Sequence, residues 1–148
     1  MKSLPPLQPN ILLVDDNRDG LLVRRTLLEE LGYSVVIARN GEEGLKAFEL
    51  ASFDVIVTDY KMPRMDGQEL IRRIRDLKPA AKIILLSGFL DSMGLTEQNT
   101  GADVVIPKSA TEASSLVRCV KRLLNRSASR KPPVSQKRTP ISARAGSR

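Results

Sequence analysis

The sequence predicts an α/β fold, a parallel sheet with helices on both faces, and three observations predict it. Five short apolar, β-branched runs recur at residues 10–14, 34–38, 54–58, 82–86 and 103–106. They are near-continuous apolar stretches, not strict alternations, as strands buried on both faces require. Segments of helical periodicity separate them, and strand alternating with helix five times over argues for parallel pairing through crossover helices.

The first run, ILLV, ends on Asp15 and Asp16, and the helical segment after it is striped by Leu21, Leu28 and Leu31. Asn40 stands before GEEGL where a cap residue belongs, and Leu45 and Phe48 mark that second helix. The third run ends in TDYKMPRMDG. Here Asp66 is placed to cap the helix that carries Leu70, Ile71, Ile74 and Leu77. The fourth run ends at Ser87 and Gly88. Its helical segment, LDSMGLTEQNTG, contains Gly94 and few apolar anchors, which predicts a short or mobile helix. The fifth run leads through Pro107 and Lys108 to a convincing helix with Leu116, Val120, Leu123 and Leu124 on one face and Arg118, Lys121 and Arg122 solvated.

Composition narrows the chemistry. The chain has 148 residues, 41% of them hydrophobic but only 3% aromatic, so the core is aliphatic. There is no histidine, which excludes a Ser/His triad, a histidine metal site and a phosphohistidine on this chain. Cys119 is the one cysteine; it reads as a small buried hydrophobe, with no intramolecular disulfide and no cysteine metal cluster possible. No apolar stretch is long enough to span a bilayer, and MKSLPPLQPN lacks the apolar centre of a secretory signal, so a soluble, cytoplasmic protein is expected.

The formal charge of +7 is unevenly distributed. All 17 acidic residues lie at or before Glu112, whereas nine basic ones fall in 121–148, leaving residues 1–120 near −2. The expected organisation is an N-terminal lead (1–9), one domain (10–125) and a basic tail (126–148) too rich in Pro, Ser and Arg to bury a core. The tail is expected to be disordered. Its charge suits weak contact with nucleic acid or an anionic surface, although it has no aromatic to stack on bases.

In open parallel sheets, functional groups gather at the carboxyl ends of the strands. Asp15 and Asp16 follow the first strand, Asp59 the third, Ser87 the fourth and Lys108 the fifth, all on one edge. Taken singly, each has a plain role: Asp15 and Asp16 as helix caps, Asp59 and Ser87 as turn residues, Lys108 as a solvated charge. Together they form a cluster of like charges that resists burial unless a cation offsets it. Mg²⁺ suits such a set, because it takes carboxylates, waters and a substrate phosphate. A carboxylate beside Mg²⁺ and a lysine is suited to accept a phosphoryl group.

The motifs ILLVDD (11–16), VIVTDYKMPRMDG (55–67), IILLSG (83–88) and GADVVIPK (101–108) give residues 10–125 a resemblance to the receiver domains of bacterial two-component response regulators, such as the chemotaxis regulators. That resemblance implies a flavodoxin-like, doubly wound (βα)5 fold with strand order 2-1-3-4-5. It also implies that Asp59 takes a phosphoryl group from the histidine of a partner kinase or phosphotransfer protein. Asp16, Asp59 and the backbone carbonyl of Lys61 would hold Mg²⁺, with Asp15 acting largely through water. Ser87 and Lys108 would bind phosphoryl oxygens.

The chain departs from the family in several places. Val105 stands where many receivers carry an aromatic that rotates on activation, so aromatic rotation is not the signal here. Ser109 follows Lys108 where proline is usual, which argues against a cis bond at that point. Lys61 and Phe89 occupy the positions that tune the lifetime of the acyl phosphate, and their bulk is expected to impede water and lengthen it.

The resulting expectation is a single-domain receiver, a phosphorylation-controlled interaction module that is a switch more than an enzyme, with a downstream protein partner that the sequence does not name. Two alternatives stand beside it. One is a receiver-like module that binds partners without phosphorylation. The other is an Mg-dependent phosphatase of the haloacid dehalogenase type, but that needs a second acid two residues after the nucleophile, where this chain has Lys61.

Overall fold

The computed structural model describes residues 8–88 and 94–129, the side chains of 126–129 excepted. The five strands are β1 (Asn10–Val14), β2 (Ser34–Ala38), β3 (Val55–Asp59), β4 (Ile83–Ser87) and β5 (Val104–Pro107). The helices are α1 (Arg18–Glu30), α2 (Gly41–Leu50), α3 (Gly67–Leu77), α4 (Glu97–Thr100) and α5 (Glu112–Ser129). All strand pairs are parallel and the sheet order is β2-β1-β3-β4-β5, the flavodoxin-like arrangement.

Successive side chains of a strand point to opposite faces, and the two cores follow that rule. Leu12, Val14, Ile56, Ile83 and Leu85 pack with Leu70, Ile71 and Ile74 of α3. Ile11, Leu13, Val55, Val57, Ile84 and Leu86 pack on the other face with Leu21 and Leu28 of α1 and Leu116, Val120 and Leu123 of α5. β1, β3 and β4 are covered on both faces, which is why they read as continuous apolar runs. β2 and β5 have a neighbour on one side only and are partly exposed, so burial on both faces does not hold for them.

Three strands are offset from expectation by one residue. β3, β4 and β5 begin and end one position later than 54–58, 82–86 and 103–106. Asp54 and Asp103 are not strand residues but loop acceptors, taking the backbone N–H of Asn10 and Ile83, both at 2.7 Å. At the other end the ladder runs on, pairing Asp59 with Leu86 and Ser87 with Pro107. Asp59 and Ser87 therefore sit on rigid strand backbone, not on loops.

The helix starts carry side-chain caps: Asn17 Oδ1 accepts from Gly20 N, Asn40 from Glu43 N and Asp66 from Glu69 N. Neither Asp15 nor Asp16 caps α1. Leu31 and Leu77, expected in apolar stripes, lie at helix ends and are 40% and 54% exposed. The fourth helix is short, as expected, a single turn with a Thr96 capping box that stops at Gly101 in the left-handed region. Gly94 precedes it. α5 continues four residues past 125, and Cys119 is buried in its apolar face. No helix among the described residues is long and apolar enough to cross a membrane. Phe89, most of the N-terminal lead and the basic tail from 130 onward lie outside the described residues, and with them the expectations for the tail.

Candidate functional site: an acid cluster at the sheet edge

Parallel strands deliver their last residues to one edge, and here that edge collects the predicted set. One oxygen from each of Asp15, Asp16 and Asp59 can be chosen so that all three lie within 4.8 Å of one another. Asp15 and Asp59 are 2% and 5% exposed, whereas Asp16 opens to solvent. Lys108, carried by the turn after β5, places Nζ 2.7 Å from Asp59 Oδ1 and 3.9 Å from Asp15 Oδ2. Its backbone N–H donates to the Ser87 carbonyl at 2.7 Å, which ties that turn to β4.

Burial is the largest influence on Asp59 and raises its pKa, because desolvation penalises the charged form. The neighbouring Asp15 raises it further, and the Lys108 ammonium pulls it back; the balance leaves Asp59 pushed up to about 6. Ser87 is fully buried, and its Oγ finds no hydrogen-bond partner among the described residues. A buried hydroxyl of that kind is costly and uncommon in a native fold, and it marks a place where a further acceptor would be favourable.

The loop after Asp59 is folded tightly back on it. Gly67 N donates to the Tyr60 carbonyl at 2.7 Å, and Met62 and Met65 are buried beneath. A Cβ at Gly67 would stand 2.3 Å from the Asp59 carbonyl oxygen, so only glycine lets α3 start so close to the strand end. Gly67 is thus more than a helix starter, and the DG pair that follows the loop was its signal. Lys61, in that loop, is exposed.

Val105 is half-buried at the outer strand, and its backbone N–H donates to Glu97 Oε2 of α4 at 3.0 Å. Ser109 turns the chain into α5: its Oγ accepts from Thr111 N and its carbonyl from Glu112 N. No cis peptide bond occurs among the described residues.

Sequence reasoning missed Arg24. It lies in the buried stripe of α1 between Leu21 and Leu28 and is 9% exposed. Its Nη1 donates to Asp15 Oδ2 at 2.7 Å and its Nε to Glu112 Oε2 at 2.6 Å. Burial alone would lower its pKa, but bonding to Glu112 and Asp15 carries it above the ordinary value. The available signal was a basic residue at helical spacing inside an apolar stripe. A separate groove of about 590 Å³, lined by Arg72, Arg75 and Asn99 among others, lies between α3 and α4 and does not include Asp15, Asp16 or Asp59.

Residues 11–121 match the family described as the response regulator receiver domain. The chain is 36% identical over 129 residues to a probable transcriptional regulator, ycf27, of Cyanidium caldarium, covering 84% of this chain and 51% of that protein. It is 41% identical over 78 residues to the virulence sensor protein BvgS of Bordetella bronchiseptica, covering 53% of this chain and 6% of that protein. The chain therefore spans about half the length of the first relative and a small part of the second. Among solved structures, a response regulator receiver domain protein of Clostridium thermocellum superposes with a TM-score of 0.73 at 32% identity, covering 81% of this chain and 97% of that one. The response regulator TrrA of Thermotoga maritima, solved in complex with Mg(2+)-BeF, gives 0.72 at 36% identity, covering 79% and 100%.

Proposed function

The chain belongs to the response regulator receiver domain family, a phosphorelay module, and on that premise we propose that Asp59 is its phosphoacceptor, with the histidine of a sensor kinase or phosphotransfer protein as donor. The observation that carries this reading is the placing of Lys108 Nζ 2.7 Å from Asp59 Oδ1, on a strand end where two further carboxylates converge. With a pKa of about 6, Asp59 is mostly ionised at neutral pH and can act as a nucleophile.

In the transfer, an Asp59 carboxylate oxygen forms a bond to phosphorus as the phosphorus–nitrogen bond of phosphohistidine breaks. The electron pair of that bond leaves with the imidazole, which takes up a proton from its surroundings. Lys108 is placed to follow the negative charge from the carboxylate to a phosphoryl oxygen. Ser87 Oγ, without a partner among the described residues, donates to another. The backbone at Asp59 and Ser87 is held by ladder pairing, so catalysis here is positioning and charge neutralisation.

The donor set fits Mg²⁺. Asp15, Asp16 and Asp59 offer only hard oxygen ligands, and an acid cluster with two buried members calls for a compensating cation. Asp16, Asp59 and the Lys61 carbonyl would hold the ion, with Asp15 supporting it. When bound, the ion supplies charge neutralisation for the carboxylates and the phosphoryl oxygens.

Modification then shifts the balance between two arrangements of the edge formed by Ser87, α4 and Val105, changing which protein binds there. With Val105 in place of an aromatic, the contact available to carry that shift is the Glu97 bond to the Val105 N–H. The module acts as a switch in a soluble, cytoplasmic pathway and has at most slow self-dephosphorylation. Incubation with acetyl phosphate and Mg²⁺ followed by intact mass measurement tests the reading. One added phosphoryl group that is absent in Asp59→Asn is expected. No addition would favour phosphorylation-independent binding, and continuous turnover of phosphate esters would indicate a phosphatase.

A further inference from the structure

One charge beside the acid cluster is not used by the proposed transfer. Arg24 occupies a position in α1 where its neighbours in the stripe, Leu21 and Leu28, are buried hydrophobes. Burying a guanidinium is unfavourable unless it is paired, and here it is paired twice, to Asp15 Oδ2 and to Glu112 Oε2. A Cβ at Gly20 would stand 2.9 Å from Arg24 Nη1 and 3.4 Å from Asp15 Oδ2, so a larger residue there would displace the end of the guanidinium from its position against Asp15.

The other oxygen of Asp15, Oδ1, accepts from Asn17 N at 2.9 Å. Both oxygens are therefore engaged from the α1 side, and Asp15 faces the cluster as a fixed charge with a fixed cation behind it. We propose that Arg24 is a positioning residue that sets the divalent-cation affinity of the acid cluster. It holds Asp15 in place while opposing the incoming cation with its own charge, and Glu112 offsets part of that charge from the far side. The inference rests on the reading of Asp15, Asp16 and Asp59 as a cation site.

The two partners of Arg24 give the proposal opposite signs to test. Removing the guanidinium leaves Asp15 more negative in effect, so Arg24→Met binds Mg²⁺ about fivefold more tightly, the scale expected for a partly screened charge at this range. Removing the Glu112 charge leaves Arg24 less compensated, so Glu112→Gln binds Mg²⁺ about threefold more weakly. Arg24→Lys keeps the charge but not the fork that spans Asp15 and Glu112, so its affinity is expected between that of Arg24→Met and that of the unsubstituted protein. These differences shrink only a little as salt is added, because charges as buried as Arg24 and Asp15 are screened much less than exposed ones. A residue that only bolts α1 to α5 would weaken binding in both variants, or alter neither.

The experiment is calorimetric titration of the 148-residue chain, freed of metal, with magnesium chloride alone, at low and high salt, with circular dichroism to check the fold. The opposite shifts of Arg24→Met and Glu112→Gln are the expected result. Equal or weaker binding by a folded Arg24→Met, or an Arg24→Lys that behaves like Arg24→Met, overturns the inference. If Arg24→Met does not fold, unchanged or tighter binding by Glu112→Gln overturns it instead. Failure of the unsubstituted chain to bind Mg²⁺ would overturn the cation-site reading and the inference with it, whereas binding without the predicted shifts overturns the inference alone.

Discussion

Replacing Asp59 by asparagine is expected to make the metal-free protein more stable at neutral pH, even though it removes the proposed phosphoacceptor. The pKa of Asp59 is pushed up from 3.8 to about 6, first by burial and then by the charge of Asp15, against the pull of Lys108. A carboxyl group that holds its proton more tightly folded than unfolded favours the folded state at low pH. That advantage is lost as pH rises from about 4 to about 6, and above this window the ionised group is a steady burden. A shift of about two units corresponds to at most about 3 kcal/mol.

Asparagine also deprives Lys108 of its 2.7 Å partner, but Lys108 is 30% exposed and can turn to water or to Asp15. The net gain is therefore expected to be about 1–2 kcal/mol, or roughly 3–6 °C in melting temperature for a domain of this size. Thermal melts of both proteins in chelator, at intervals from about pH 4 to pH 8, measure it. The two curves should nearly meet near pH 4, diverge up to about pH 6 and then run parallel, with the asparagine variant higher. An asparagine variant less stable than the unsubstituted chain at about pH 7.5, or a difference that does not change with pH, would refute the electrostatic account of the site.

Gly67→Ala forces a Cβ against the Asp59 carbonyl and is expected to cost about 2–3 kcal/mol, read from the urea midpoint, and to slow phosphorylation by acetyl phosphate. Ile56→Ala removes a fully buried side chain from the central strand β3 and should cost about 2–5 kcal/mol in the same assay. Asp66→Ala deletes the bond to Glu69 N at the start of α3, a loss of about 1 kcal/mol in urea denaturation. Replacing Lys61 and Phe89 together by small polar residues should shorten the phosphorylated lifetime, followed by the decay of the phosphorylated mass.

The sheet was legible wherever both faces of a strand are buried, because a continuous apolar run such as ILLV has no polar side to turn toward water. Its edges were less so: half-exposed β2 still reads SVVIA, since β-branched residues suit an edge as well as a centre. The one-residue offset at β3 and β5 comes from counting Asp54 and Asp103 into their strands, when their side chains bond the backbone N–H of neighbouring strands instead, and at β4 it comes from counting in Lys82. Such long-range acceptors leave no local pattern.

The acids and Lys108 were found because parallel topology sends every strand end to one edge. Arg24 and Glu112 were not, because they are 88 residues apart and joined only by the packing of α1 against α5. The close approach of Gly67 to the Asp59 carbonyl is likewise a tertiary fact. Leu31 and Leu77 show the converse error: both fit an apolar stripe, but each lies at a helix end where the chain turns away from the core.

Chemical localisation of the phosphoryl group tests the central claim most directly. After incubation with acetyl phosphate and Mg²⁺, borohydride reduces an acyl phosphate to the alcohol, so a phosphorylated aspartate becomes homoserine and can be found by peptide mass spectrometry. The account predicts homoserine at position 59 alone. Conversion at Asp15 or Asp16, or none anywhere under conditions where Mg²⁺ binds, would contradict it.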